Sequence, residues 1–384
     1  MEEKIFNKEF IKICFVNFLM MFGQNMTNTL VPKYANALGA SSVMIGMITG
    51  FFSVSSFIIK PVSSTAIDSL DRKKILFIAS VVISLGFVGF SISTTPEMLL
   101  ICRLIHGFGI GFTVTGCLTM VSSTVSSRNL TTAVAYYSVA GSIAQAIGPG
   151  IGLSLAGKIG YPLTFLSGAV FTMAGAFVLL LVKEEEREKN PFKLSLNSSI
   201  AKEALVPAFI MLFLAMVYID ISSFLTIYAD QVGIENIGLY FTVNAVCLFF
   251  TRPLIAKLSD KLGIVRLLPV AILCFGISIF MLGFSTELYQ FLISAVINAF
   301  GYGACQPMIQ SLCMKSAPKE KRGAASSTSY YGTDIGYMVG PVIAGKVVEL
   351  SSYATMFKVV PLLLVPALLL VAVFRQRIME IDAK

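Results

Sequence analysis

Hydrophobic residues run in long blocks separated by short polar breaks. Ile75 to Phe90 and Val359 to Phe374 contain no ionisable side chain. About 20 residues of α-helix, rising 1.5 Å each, cross a hydrocarbon layer about 30 Å thick, so such blocks predict membrane spans. The pattern predicts twelve helices, near residues 10–31, 42–66, 73–93, 97–124, 131–155, 161–182, 204–229, 237–257, 264–284, 288–314, 325–348 and 355–374. One long polar stretch, KEEEREKNPFKLSLNSSIAK at 183–202, separates six helices from six. The expected fold class is an all-α membrane protein of twelve transmembrane helices in two pseudo-symmetric six-helix bundles. The N-terminal bundle is expected at 1–182, a cytoplasmic linker at 183–203 and the C-terminal bundle at 204–384.

An even number of spans puts both termini on one side, and short loops rich in Lys and Arg stay in the cytoplasm. With the termini inside, twenty-four of the 29 Lys and Arg residues fall at inner ends and loops. Lys33, Lys158, Lys346 and Lys358 fall outside, and Arg103 lies within a helix. A multi-pass protein of the cell membrane with both termini cytoplasmic is expected. Hydrophobic residues make up 56% of the chain and charged ones 13%, about half the charge of a soluble protein. The net charge of +8 follows from orientation and attraction to anionic lipid, so no nucleic-acid partner is expected. All seven cysteines sit in apolar stretches without paired spacing and read as small hydrophobes. One His leaves too few ligands for a usual catalytic zinc, and no GxxxxGK[ST] run supports ATP hydrolysis. No cofactor or metal is expected. The first apolar run is too long, and lacks the small-residue site, for a cleavable signal peptide.

Adding 192 to landmarks of the first half recovers landmarks of the second. Pro61, Asp68 and Leu70 become Pro253, Asp260 and Leu262; Phe108, Gly109 and Gly111 become Phe300, Gly301 and Gly303; Gly148 and Pro149 become Gly340 and Pro341. Such a repeat implies two similar bundles related by an axis along the membrane normal, with a substrate path at their interface.

Ionisable groups inside spans are costly and mark function. Arg103 is the basic residue placed within a span, facing either a partner or water, or snorkelling outward. His106 lies one turn on, as a titrating group or a packed one. Asp220 and Asp334 are the acids well inside predicted helices, either exchanging protons near physiological pH or capped by neighbouring hydroxyls. Gly148, Pro149 and Gly152 remove bulk and a backbone donor, which suits a pivot between bundles or close packing; Gly340 and Pro341 echo them. Asn298, Tyr302 and Gln306 recur every fourth residue, as do Gln24 and Asn28, with Asn25 adjacent. These stripes, with Tyr218, Asn244 and Tyr330, line either an aqueous cavity or helix-to-helix hydrogen bonds.

Four segments carry a resemblance. KPVSSTAIDSLDRK at 60–73 resembles the loop 2–3 signature of the major facilitator superfamily, and RLIHGFG at 103–109 looks like its helix 4 signature. GPGIG at 148–152 is similar to the signature of its proton-coupled antiporters. LVPKY at 30–34 followed by LGAS at 38–41 resembles the first outer loop of its twelve-helix drug exporters. The resemblance implies that Asp68 and Arg72 clamp the bundles on the cytoplasmic side, with Asp260 as the second-half counterpart. It also implies that Arg103 influences protonation of a nearby acid. The chain departs from the loop signature at Ser64, Ser69 and Asp71, and Ile264 and Val265 replace the basic pair in the second half.

The expected function is alternating-access secondary transport, with proton-coupled efflux of a small organic solute or drug. Protons, the solute and the lipid bilayer are the expected partners, and the protein is expected to be a monomer. Proton-linked uptake or solute exchange uses the same helices. A membrane enzyme acting on lipids lacks a DDxxD-like or HxxxxD pair, and the short cytoplasmic segments offer no signalling domain for a sensor.

Overall fold

Helices begin where the sequence supplies an acceptor for their unpaired first amides. The computed structural model describes residues 6–122, 124–125, 130–183, 200–318 and 321–382. Asn7 opens α1 (Lys8–Asn28) by accepting from the Phe10 amide at 2.8 Å. After α2 (Leu30–Ala37), Ser41 caps α3 (Ser42–Gly50) through the Met44 amide at 3.2 Å. Next come α4 (Phe52–Ser69) and α5 (Arg72–Ile92), the latter capped by Asp71 on the Lys74 amide at 3.2 Å. Then follow α6 (Pro96–Ser122) and α7 (Leu130–Leu180), which is broken at Gly160 (φ 80°, ψ 165°). The two predicted helices near 131–155 and 161–182 meet at that break. The predicted linker falls largely outside the described residues.

Beyond it lie α8 (Leu205–Gln231), α9 (Gly238–Leu262), α10 (Ile264–Leu282), α11 (Leu288–Ser316) and α12 (Arg322–Leu350). The chain ends in α13 (Tyr353–Val359), α14 (Val365–Val373) and α15 (Arg375–Asp382). No strand occurs among the described residues. Among the described residues, eight helical runs are long and apolar enough to cross a membrane, including α3 with α4 as one run of 26 residues and a 45-residue stretch of α7. Helices α1, α6 and α12, of 21, 27 and 29 residues, are not among those runs.

Contacts divide the chain into two compact units: Met1–Tyr34 with Val54–Leu194, and Ala35–Ser53 with Ser195–Lys384. In the first, α1 packs chiefly on α7, and α5 on α6 and α7. In the second, α8 packs on α12, α10 and α9 on α11, and α3 on α12. The boundary at Ser53 lies inside a continuous span, so α3 counts with the second unit although it follows α1 and α2 in sequence.

The 192-residue offset recurs in the packing. A Cβ on Gly109 would meet Ile83, and one on Gly301 would meet Phe275, its counterpart. Gly111 packs on Ile59 and Ser56, and Gly303 on Leu248, the counterpart of Ser56. Gly86 packs on His106, while their counterparts Ser278 and Asn298 form a hydrogen bond at 3.4 Å.

Helix ends are closed by groups far away in sequence. Lys12 and Lys73 donate to the carbonyls of Leu181 (2.8 Å) and Val182 (3.1 Å), placing cations at the negative end of α7. Glu349 accepts from the Val43 amide at 3.3 Å at the start of α3. That amide, with the Ser41 hydroxyl, holds its carboxyl below the usual range. Its hold on α3 is present above the ordinary carboxylate pKa and is lost as pH falls through the lowered value.

At α10 the local residue cannot supply a cap. Gly263 has φ 81° and ψ 146°, a conformation essentially restricted to glycine, where the first unit has Asp71. The carboxylate comes instead from α15, the helix that the hydropathy pattern does not predict. Asp382 Oδ2 accepts from the Ile264 amide at 2.7 Å, and Lys315 donates to the Asp382 carbonyl at 2.8 Å. Ile378 and Ile381 are the buried side of this otherwise polar helix. Asp382→Ala is expected to cost about 1–2 kcal/mol, the value of an N-cap. Thermal unfolding of the purified protein measures this, and an unchanged midpoint would show that the contact adds no stability.

Candidate functional site

In the first unit the polar residues of α1 face α6 and α7. Asn28 Oδ1 accepts both terminal nitrogens of Arg103, each at 3.2 Å. Arg103 is 2% exposed, so its guanidinium is drawn inward onto an amide oxygen and does not snorkel. Asn25 turns back on its own helix, donating to the Met21 carbonyl at 2.8 Å. Gln24 lines a small pocket with Asn17, Met21, Thr113, Cys117 and Tyr137. A Cβ on Gly148 would stand 3.0 Å from the Asn25 Cβ, and one on Gly152 would overlap the Met26 carbonyl. The glycines and Pro149 therefore let α7 lie against the α1 backbone beside Arg103.

His106 is fully buried among Phe87 and Phe90, with ring centroids 4.8 and 5.6 Å away, and neither ring nitrogen has a hydrogen-bond partner. Gly86 makes room for it. Arg72 is buried, its Nε donating to the Ile67 carbonyl at 3.2 Å at the turn between α4 and α5. Asp68 is on α4 and Asp260 on α9, and both side chains lie outside the described ones.

In the second unit Tyr218 and Tyr302 stack with centroids 3.8 Å apart and planes 8° from parallel. Phe275 stands 5.4 Å from Tyr302. Asn244 donates to the Ala295 carbonyl (2.9 Å) and to Asn298 Oδ1 (3.1 Å), and Asn298 donates to Ser278. These two asparagines thus join α9, α11 and α10 in a buried polar chain. Gln306 is half-buried on α11; one turn later Gln310 donates to the exposed Tyr330 hydroxyl at 3.2 Å. Asp334 is 8% exposed on α12. Asp220 is fully buried on α8, and neither carboxyl oxygen has a hydrogen-bond partner. Gly340 lies on the Met216 backbone, and the Pro341 carbonyl fills the space where a Gly46 side chain would sit.

Sequence reasoning left three features outside the site. Tyr337 follows Asp334 by three residues and stands 6.4 Å from Phe52; its spacing from Asp334 is the available signal. Gly332 and Gly336 share the face of Gly340, and their four-residue period announces close contact. Gly46 and Gly50 on α3, with Gly345, play the same part between α3 and α12. Among the described residues no cluster of His, Cys, Asp and Glu is built to hold a metal ion.

The Major Facilitator Superfamily sequence model matches residues 13–240 and 208–380. Multidrug resistance protein 1 of Bacillus subtilis (strain 168) is 24% identical over 344 residues, covering 87% of this chain and 88% of that one. The quinolone resistance protein NorA of Staphylococcus aureus (strain COL) is 21% identical over 364 residues, covering 91% and 92%. A POT family transporter crystallised with a thioalcohol-conjugated peptide superposes with a TM-score of 0.82, at 14% identity and 96% coverage of each chain. The crystal structure of the nucleoside transporter NupG gives 0.78 at 13% identity, covering 96% of this chain and 99% of that one. These two structures show the shared fold alone.

The Arg103–Asn28 pair yields a test in the first unit. Asn28→Ala is expected to cost about 1–3 kcal/mol, because a buried charged donor loses its acceptor. Arg103→Ala in the same chain is expected to recover part of that loss. A double-mutant cycle on unfolding midpoints checks this, and strictly additive losses would mean that the two side chains are uncoupled.

Proposed function

Because the chain belongs to the major facilitator superfamily and is a secondary transporter, not an enzyme, working by alternating access, we propose that it exports small organic solutes in exchange for protons. The relatives named for multidrug and quinolone resistance support the direction and the substrate class. We read the fold as twelve spans in two six-helix bundles. The 45-residue apolar stretch of α7 is about 68 Å long at 1.5 Å per residue, enough for two crossings. The other seven apolar runs supply one crossing each, and α1, α6 and α12 supply the remaining three. These three helices carry Asn28, Arg103 and Asp334, as cavity-lining helices would.

The observation that carries proton coupling is the pair of carboxyl groups, Asp220 and Asp334, enclosed in the helices of the second unit. An ionised carboxylate is costly inside a helical bundle, so these groups gain and lose protons as water reaches them. Arg103 and His106 bias the field in the first unit. Tyr218, Tyr302 and Tyr337 offer aromatic faces to a solute, with Gln24, Asn25, Gln306 and Tyr330 as polar contacts. Asn28, Asn244 and Asn298 set the shape of the helices around them. Asp68, Arg72 and Asp260 form the cytoplasmic gate, and Gly148, Pro149, Gly152, Gly340 and Pro341 the pivots. The protein acts as a monomer in the cell membrane with both termini in the cytoplasm. A membrane potential of 100 mV adds about 2.3 kcal/mol per net charge moved, so one proton sustains a useful gradient.

Inverted vesicles holding the purified protein test the proposal with a fluorescent cationic dye. An imposed acid interior is expected to drive dye inward while protons leave, with coupling lost in Asp220→Asn or Asp334→Asn. Dye and protons moving together would establish uptake, and coupling unchanged in both variants would remove these acids from the pathway.

A further inference from the structure

The glycines of α12 meet α8 at a fixed interval. A Cβ on Gly332 would overlap the carbonyl oxygen of Ala208, one on Gly336 would lie 2.5 Å from that of Leu212, and one on Gly340 would overlap that of Met216. Each step advances four residues on both helices, so the two run parallel with backbone against backbone. One further step brings Ala344 on α12 level with Asp220 on α8, both fully buried. By that register the stripe runs on toward Asp220, whose carboxyl group has no hydrogen-bond partner.

The repeat shows what is special about that rung. Asn28 is the first-unit counterpart of Asp220, and Gly152 that of Ala344. Asn28 is neutral and bound by Arg103, whereas the counterpart of Arg103 is Ala295, whose carbonyl is taken by Asn244. The second unit thus holds the acid without the cation. Among the described residues, the charged groups on helices packed against α8 are Asp334, Lys346 and Glu349 on α12, Lys315 on α11, Lys358 on α13, and Lys202 and Glu203 on the 3-10 turn Lys202–Ala204; Asp230 is on α8 itself. None is bonded to Asp220. Helices α3 and α14 contribute no charge.

We propose that Asp220 is the proton-operated latch of the α8–α12 seam: the neutral acid closes the last rung, and loss of its proton draws α8 away from α12. An ionised carboxylate without a partner has to reach water, and Asp220 is fully buried where it stands. Proton release and seam opening are then one event, which gives the carboxyl a mechanical output. This rests on the reading of Asp220 as a coupling residue and adds the element that it moves.

Spin labels on the exposed outer positions Asp230→Cys and Leu350→Cys, in a transport-competent background with the seven native cysteines replaced, measure the seam by pulsed dipolar spectroscopy across pH. The mean distance is expected to lengthen by about 2 Å or more as pH rises, the scale of helix shifts at packed interfaces. Asp220→Asn is expected to stay short at every pH, Asp220→Glu to keep the transition, and Asp334→Asn to keep it as well. A distance that ignores pH, or one that titrates in Asp220→Asn as in the parent, overturns the latch. Vesicle flux separates the two levels. Gradient-driven flux with an invariant distance removes only the latch, whereas flux indifferent to the gradient removes the coupling reading and the latch with it.

Discussion

Hydrocarbon offers no water, so a polar side chain inside a helical bundle must find a partner, reach an aqueous pocket or stay neutral. The interior of this protein uses the first and the last. Arg103 is held by the Asn28 amide oxygen. Asn244, Asn298 and Ser278 bond one another across three helices. His106 is enclosed by Phe87 and Phe90 with no acceptor for a ring proton, a setting suited to the neutral imidazole. Asp220 is fully buried with no hydrogen-bond partner on either oxygen, which leaves neutrality as the state in which its rung can close.

The internal repeat turns these differences into functional distinctions. Two sequences occupy similar packing, seen in Gly109 on Ile83 and Gly301 on Phe275, yet they diverge in their buried polar groups. Asn28 with Arg103 becomes Asp220 with Ala295; Gly86 with His106 becomes Ser278 with Asn298. The first unit therefore carries the buried cation and the imidazole, and the second carries the buried acids and the stacked tyrosines. Helix ends diverge too, since Asp71 caps α5 directly while the matching Gly263 leaves α10 to be capped by Asp382.

Much of this was legible in the chain. Hydropathy marks the spans because a helix in lipid must be apolar over its length, and the offset of 192 is visible through glycines and prolines that cannot be exchanged freely. Arg103, Asp220 and Asp334 stand out because ionisable residues are rare in such segments. What stayed hidden depends on contacts between distant residues. No local pattern joins Asp382 to Ile264, or Glu349 to the start of α3. The stripe Gly332, Gly336 and Gly340 was readable as a period, but that it lies on the α8 backbone, and that Asp220 takes the next step, required coordinates. Asn244 and Asn298 lie on polar stripes that periodicity cannot divide between cavity and interhelical bond; the bonds to Ala295 and Ser278 decide for these two.

The protonation state of Asp220 is the most direct measure of whether a partnerless carboxyl can occupy a closed helix seam. Infrared spectra of the purified transporter at neutral pH, compared with those of Asp220→Asn, report it. The account predicts a neutral-carboxyl band in the parent that the variant lacks, and an ionised Asp220 under the same conditions would contradict it.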